Sequence, residues 1–254
     1  MKDWDIQIYR GVLTGYNEAF IISGEKRKEL IEQDPKSDEI IRPILRGRDI
    51  KRYGYDFADL WLINTHNGVK EKGIKPININ DYPAIKTHLD KYYPSLEKRQ
   101  DKGDTPYNLR NCAYIEDFFK HKIIYPNMTK FLPFVYDSMG FFTNQKCFIV
   151  IGKEVAFLTA FFNSSLFKYC YRDSFPELQG GTRELSKIFF DKISVIKVEN
   201  ETNTLFETKI TEIQALHQKN IDTKTQELEL DNLIFNLYHL TEEERKEIGF
   251  IEIQ

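Results

Sequence analysis

The sequence predicts an α+β protein: mixed small sheets packed with helices, followed by a C-terminal helical hairpin. Short apolar runs of strand length are interleaved with helical patterns, and no strict repeat relates them. Residues 199–254 carry helical patterns only. At 254 residues the chain is long enough to bury a sizeable core.

In the first part of the chain, apolar spacing and the placement of glycine and proline indicate where elements begin and end. In order, we expect two strands joined by a glycine-assisted turn (4–8 and 19–22), a polar helix (25–33), a buried strand (60–63) and a helix from Pro83 to about Lys98. Pro83 suits the first position of a helix because the N–H that it lacks would have no partner there.

The middle of the chain carries the remaining strands. In order, we expect a short helix (115–120), a strand (122–125), a hairpin or meander built on 134–136 and 147–151, a long apolar helix (154–171), a short helix (184–189) and a last strand (193–198). Between the last two helices lies a loop, 173–182, that contains Pro176, Gly180 and Gly181.

The C-terminal segment has two apolar helical stripes, which consist of Phe206, Ile210, Ile213 and His217, and of Leu230, Leu233, Ile234 and Leu237. Both stripes must be buried. The alternatives are packing on the chain's own or a neighbouring domain, and pairing with a partner's helix. A capping box at Thr241 to Glu244 predicts a short final helix that stops at Gly249.

The net charge of −3 conceals an uneven distribution. Residues 199–254 hold five Lys and Arg against thirteen Asp and Glu, whereas the rest of the chain holds 31 basic and 26 acidic residues. We therefore divide the chain into a mildly basic domain, 1–198, and an acidic helical segment, 199–254. Such an asymmetry favours a polyanionic partner for the basic part, although it is also compatible with simple solubility.

Several function classes lack their sequence signals. No two glycines stand two residues apart and no two prolines adjoin, which argues against a G-x-G cofactor loop and against the Pro-Pro-aromatic loop of amino-group DNA methyltransferases. The triplets 207–209 and 244–246 resemble a metal-nuclease motif in letters only, since solvated helix charges explain them. The histidines and cysteines show no ligand spacing, so we expect neither a metal site nor a catalytic residue.

Thirteen side chains are candidate DNA contacts, because arginine and lysine suit phosphate or guanine and amides suit adenine. They fall in four segments: Arg42, Arg46, Arg48, Lys51 and Arg52; Arg99, Lys102 and Arg110; Lys130 with Asn144 and Gln145; and Gln179 with Arg183.

Three of these segments have an alternative interpretation. The first cluster could pair internally with Asp49, Asp56 and Asp59. Asn144 and Gln145 could be ordinary turn residues, and the loop 178–183 could be an ordinary connection between helices.

Five blocks resemble a known family in the expected order: YRGVLTGYNEAF (9–20), RPILRGRDIKRY (42–53), KIIYP (122–126), FNSSL (162–166) and DNLIFNLYHLTEE (231–243). They are similar to the TaqI-like C-terminal specificity domain of gamma-class adenine methyltransferases and type IIG restriction enzymes. The resemblance covers nearly the whole chain.

The resemblance implies that this chain reads the target of a restriction-modification enzyme on double-stranded DNA. An upstream domain would bind S-adenosylmethionine and methylate adenine N6, and a nuclease part would use Mg²⁺. We therefore expect no cofactor and no catalysis on this chain alone.

Two rival functions remain. One is a specificity subunit or helical adaptor that acts only within a complex, and the other is a nuclease with dispersed metal ligands. The start of the chain lacks an apolar targeting segment, no membrane span is expected, and the three spaced cysteines suggest a reducing cytoplasm.

Overall fold

A computed structural model describes Met1 and residues 4–251. Its strands, numbered along the chain, are β1 (Ile6–Arg10), β2 (Ile21–Ser23), β3 (Ile41–Leu45), β4 (Leu60–Ile63), β5 (Lys122–Pro126), β6 (Met128–Thr129), β7 (Val135–Asp137), β8 (Phe142–Thr143), β9 (Cys147–Gly152) and β10 (Arg183–Glu184). They form an antiparallel sheet in the order β1-β9-β5-β7, a mixed sheet in the order β2-β4-β3-β8 and the two-stranded ribbon β6-β10.

The α-helices are α1 (Asn17–Phe20), α2 (Gly24–Gln33), α3 (Pro83–Asp90), α4 (Tyr93–Lys98), α5 (Val155–Asn163), α6 (Ser165–Tyr171), α7 (Lys187–Phe190), α8 (Asn200–Gln218), α9 (Lys224–Leu237) and α10 (Glu242–Ile248). Short 3-10 turns connect several of these elements. The α+β class with mixed small sheets and C-terminal helices is confirmed.

The antiparallel sheet separates two hydrophobic clusters. Successive side chains of a strand point to opposite faces of a sheet. Accordingly, Ile123 and Tyr125 of β5 pack in the cluster that contains the C-terminal helices, while Ile124 packs in the cluster that contains the mixed sheet. Two cores therefore share one central sheet.

The C-terminal helices pack on the chain itself. Phe206, Ile210 and Ile213 of α8 are buried in the same cluster as Phe157 of α5. Leu230 and Ile234 of α9 are buried there too, so neither stripe is left for a partner's helix. The predicted capping box is present, with Thr241 and Glu244 bonded reciprocally, and α10 ends at Gly249.

Two expected helices are each interrupted. The predicted helix 154–171 is divided at Ser164, whose hydroxyl accepts from the N–H of Phe167 and caps α6. The predicted helix 83–98 is divided before α4, where Pro94 cannot supply a helical N–H. The helical spacing of the apolar side chains continues across both breaks, so periodicity alone does not indicate them.

Three strand predictions were wrong in pairing or in kind. β1 and β2 lie in different sheets, so no hairpin joins them, and β7 and β9 flank β5 on opposite sides. Residues 193–198 form no strand. Two of their backbone carbonyls instead accept hydrogen bonds from groups outside the sheets. The carbonyl of Ile193 accepts from the N-terminal amine, and that of Val195 accepts from the Trp4 indole.

Among the described residues, no helix combines the length and apolar character needed to cross a membrane.

Candidate nucleic-acid interface

The first predicted basic segment begins where β3 ends, in a turn that its own aspartate holds. Asp49 accepts from the backbone N–H of Arg46 at 2.8 Å and from its guanidinium at 2.9 and 2.7 Å. Asp49 is buried, and this bidentate pair raises the pKa of Arg46 above its ordinary value. The guanidinium of Arg46 is thus fixed in direction and permanently charged.

Arg48 lies at the tip of the same turn and is exposed. Within the described part of the chain, its side chain has no hydrogen-bond or ion-pair partner. The turn packs closely on β5, because a Cβ placed on Gly47 would come 3.2 Å from Pro126 Cβ. A rigid turn therefore carries Arg48, whose guanidinium is unpaired.

Two clefts meet at Arg48. The larger, of about 700 Å³, extends from Lys51 to Lys130 and Phe131. The smaller, of about 280 Å³, extends from Arg46 to Asn144 and Lys146. Both are lined by Gly47, Arg48 and Met128, so they form one continuous surface, which we call the basic cleft.

The basic cleft combines segments that are far apart in sequence. Residues 46–52, 127–131 and 144–146 all contribute. Its cations are Arg46, Arg48, Lys51, Lys130 and Lys146, together with the deeper Arg52. Its acidic groups are Asp56, 3.4 Å from Lys51, and Glu227, which pairs with Arg52 at 2.9 Å. The surface therefore retains an excess of positive charge.

One wall of the cleft is the ribbon β6-β10, where Met128 and Thr129 pair with Glu184 and Arg183. The guanidinium of Arg183 is buried and donates to the carbonyl of Phe175 at 2.8 Å and to Asp173 at 2.8 Å. Arg183 therefore braces the ribbon. The exposed Gln179 lies in the loop that leads into β10.

Arg52 joins the cleft to the C-terminal helices. It is only 6% exposed, pairs with Glu227 of α9 and donates to the carbonyl of Ile251 at 2.8 Å. Next to it, buried Asp231 accepts from the backbone N–H and the hydroxyl of Ser165 at 3.0 and 2.5 Å. Burial raises the pKa of the Asp231 carboxyl above its ordinary value. The floor of the cleft is thus tied to α9.

Seven of the thirteen predicted contacts do not line the basic cleft, and four of these seven are engaged elsewhere in the fold. Arg42 donates to the carbonyls of Asp38 and Ile41, at 3.1 and 2.8 Å, and burial lowers its pKa. Lys102 donates to a carbonyl at 2.5 Å, and Arg110 pairs with Asp101 at 3.0 Å. The fourth, Arg99, is buried among backbone carbonyls. None of the four lines either part of the cleft.

Two of the three predicted amides, Asn144 and Gln145, have different surroundings. Asn144 lines the smaller part of the cleft, and its side-chain oxygen accepts from the N–H of Lys146 at 3.0 Å, as in an ordinary turn. Its NH₂ group is the part that remains for a ligand. The buried side-chain oxygen of Gln145 finds no hydrogen-bond donor among the described residues.

Sequence reasoning missed the apolar members of the cleft. Met128 and Phe131 are about half exposed, at 49% and 48%, and lie beside the basic side chains. An exposed phenylalanine is indistinguishable from a core phenylalanine by sequence alone. The only available signal was its position beside Lys130, in a turn between two prolines.

The carboxylates that resemble a nuclease motif are engaged elsewhere. Glu207 accepts from the Tyr136 hydroxyl at 2.6 Å, Lys209 pairs with Glu229 at 2.7 Å, and Glu244 caps α10. No cluster of three or more His, Cys, Asp or Glu suited to a metal occurs within the described residues.

Solved structures share this fold. The chain is similar to the type IIL restriction-modification enzyme MmeI, solved in complex with DNA, with a TM-score of 0.62 and 11% identity over 92% of this chain and 33% of that one. It is also similar to the type IIG restriction endonuclease BpuSI, with a TM-score of 0.52 and 15% identity over 91% of this chain and 30% of that one. The chain spans about a third of the length of these proteins.

A family model matches residues 42–195, which include both basic-cleft segments 46–52 and 127–131 as well as 144–146. Its description is the TaqI-like C-terminal specificity domain. The resemblance found in the sequence is therefore confirmed, and the chain belongs to the family of TaqI-like C-terminal specificity domains.

Proposed function

We propose that this specificity domain recognises a short target in double-stranded DNA through the basic cleft. The observation that carries the proposal is the unpaired, exposed guanidinium of Arg48, flanked by four further cations on one concave surface. Arg48 stands on a turn that Asp49 and Pro126 hold in place. A cation with free donors on a rigid turn suits a polyanion with acceptors at defined positions.

The residues of the cleft divide into two roles. Lys51, Lys130 and Lys146 are exposed point charges that suit phosphates and set the register on the duplex. Arg48 can form the bidentate pair with guanine O6 and N7, and the Asn144 NH₂ group lies on the same surface. Arg46 keeps one terminal nitrogen for DNA, because Asp49 occupies the rest of its fork.

Arg52, Arg99 and Arg183 are left out of the proposed contact set. Their guanidiniums are buried and bonded to carbonyls or carboxylates of the chain. Arg42, Lys102 and Arg110 are left out as well, because each is engaged away from the cleft. For Gln145 and Gln179 we assign no contact.

In the whole protein, we propose that this chain forms the C-terminal part of a type II restriction-modification enzyme acting on adenine N6. S-adenosylmethionine and Mg²⁺ would be held by an upstream methyltransferase or nuclease domain, because this chain lacks the glycine spacing of a nucleotide loop. The expected compartment is the cytoplasm, where its three free cysteines would stay reduced.

The test is selection from a pool of random duplexes at low salt, followed by sequencing of the retained DNA. We expect an enriched short motif and a steep loss of affinity with salt. Arg48→Ala should relax one position of the motif, at a cost of about 1–3 kcal/mol if it reads guanine. Lys130→Ala should weaken all sequences and lower the salt slope by about one.

Arg110→Ala is the matched control, since it removes an exposed, paired arginine outside the cleft. It should retain the motif and nearly the full affinity. If the chain retains no duplex at low salt, it does not read DNA on its own, and the proposal fails. Salt-sensitive binding without a motif would mean that an upstream domain must complete the reading surface.

A further inference from the structure

The basic cleft also has an apolar part to its lining. Met128 and Phe131 are about half exposed and line the cleft together with Arg48 and Lys130. Neighbouring exposed apolar side chains with a polar rim are typical of an interaction site, whereas a single exposed one is ordinary. The charge–phosphate contacts proposed above leave both side chains unexplained.

The backbone presents these two side chains in a defined position. Met128 belongs to the ribbon that Arg183 braces, and the N–H of Phe131 donates to the Thr129 hydroxyl at 3.1 Å. On either side, the N–H of Asn127 donates to the carbonyl of Lys146 at 2.8 Å, and Leu132 is buried. The exposure is therefore built into the fold.

The charges around this apolar pair restrict what can cover it. A purely apolar partner would leave Arg48 and Lys130 without counter-charges, and a purely ionic one would leave Phe131 in water. The major groove of DNA satisfies both, since phosphates line its edges and the thymine C5-methyl group protrudes into it. It also admits a two-stranded β-ribbon, which is the form of β6-β10.

We propose that Phe131 and Met128 recognise thymine in the target by packing against its 5-methyl group in the major groove. This inference rests on the proposed function. It adds an apolar determinant to the polar ones and names the base that it selects.

The test exchanges thymine for deoxyuridine, position by position, in the duplex that the chain selects. This removes a methyl group and leaves the hydrogen-bonding edge unchanged. At one or two positions we expect binding to weaken by about fourfold, the effect of losing one buried methyl group. With Phe131→Ala or Met128→Ala, thymine and uracil at that position should bind equally well.

Met139→Ala is the matched control, because Met139 is more exposed than either residue and does not line the cleft. It should preserve the preference for thymine over uracil. Circular dichroism and the salt dependence of binding establish that the alanine variants keep their fold and their phosphate contacts.

The possible failures are distinguishable. A chain that selects no motif contradicts the proposed function, and with it this inference. A motif in which every thymine tolerates uracil, or which has no thymine at a position relaxed by Phe131→Ala, overturns the inference alone. A rise in 2-aminopurine fluorescence that depends on Phe131, without a methyl effect, also overturns it, because that signal reports a wedge between unstacked bases.

Discussion

Two segments of this chain that were both predicted to contact DNA, residues 46–52 and 99–110, place their arginines differently in the fold. Both contain several cations, a glycine and an aspartate. In the first, Asp49 engages Arg46 and leaves Arg48 unpaired at the surface. In the second, the chain closes around Arg99, whose guanidinium donates to the carbonyls of Thr14, Asp101, Pro106 and Asn108.

The difference between the segments lies in the acceptors that each loop directs inward. Backbone carbonyls from several segments surround Arg99, so its positive charge holds a loop together. Burial lowers its pKa to about 10, yet the group remains charged at neutral pH. Around Arg48, the carbonyls of Arg46, Gly47 and Asp49 already accept from backbone N–H groups. A cation is available to bind a ligand only where no group of the folded chain already pairs with it.

The largest effect should follow from Arg99→Ala. This change leaves buried carbonyls without donors and removes packing on Phe20, so we expect the free energy of unfolding to fall by about 3 kcal/mol or more. Chemical denaturation measures it. Arg99→Lys keeps the charge but not the fork and should lose less, whereas an unchanged midpoint for Arg99→Ala would place the side chain in solvent.

A smaller loss is expected from Asp49→Ala in the first segment. It removes the acceptor of the Arg46 backbone N–H and of its guanidinium, at a cost of about 1–2 kcal/mol. DNA binding should weaken as well, because Arg46 is no longer oriented. Asp56→Ala provides the comparison: its carboxylate is exposed and 3.4 Å from Lys51, so stability should stay within about 0.5 kcal/mol.

The smallest expected effect is a difference in thiol reactivity between two cysteines, Cys147, which lies against the first segment, and Cys112, which follows the second in sequence. Burial raises the pKa of Cys112, beside Arg110, to about 11 and that of Cys147, beneath Gly47, to about 12. At a given pH below these values, Cys112 should have more thiolate than Cys147 and should be alkylated faster. Exposed Cys170 should react before both.

The same shifts link stability to pH. Because both folded-state pKa values lie above the ordinary 9.0, the associated stabilisation is complete below pH 9 and is lost as pH rises toward 11 and 12. Alkylation followed by mass spectrometry between pH 8 and 9.5 measures the rates. Cys147 reacting faster than Cys112 would show that the floor of the basic cleft opens.

Much of the fold could be predicted from local sequence. Buried strands such as β4 and β5 are short apolar runs, and α2 and α10 carry their own caps at Ser23 and Thr241. Pairing could not be predicted, because it depends on which strand edges meet across the chain. Residues 193–198 have the side chains of a strand but join no sheet, and the carbonyls of Ile193 and Val195 bond to the N-terminal amine and the Trp4 indole.

The candidate site was predicted in part. Arg46, Arg48, Lys51, Lys130 and Asn144 come together in the basic cleft, although they are distant in sequence. Arg52 and Arg183 also lie at or beneath it, as braces. Whether such a cation can contact a ligand or instead braces the fold depends on its exposure. That exposure is set by the neighbours that the tertiary structure provides.

By itself, the sequence determined the α+β class, the family and the kinds of side chain that suit DNA, because apolar periodicity, ordered motif blocks and residue chemistry are local properties. The tertiary structure alone decided which cations remain unpaired and which aromatic residue faces the cleft. A guanidinium goes to whichever acceptors lie within about 3 Å. Those acceptors come from segments as distant as Thr14 and Asn108 around Arg99, so only the folded chain selects them.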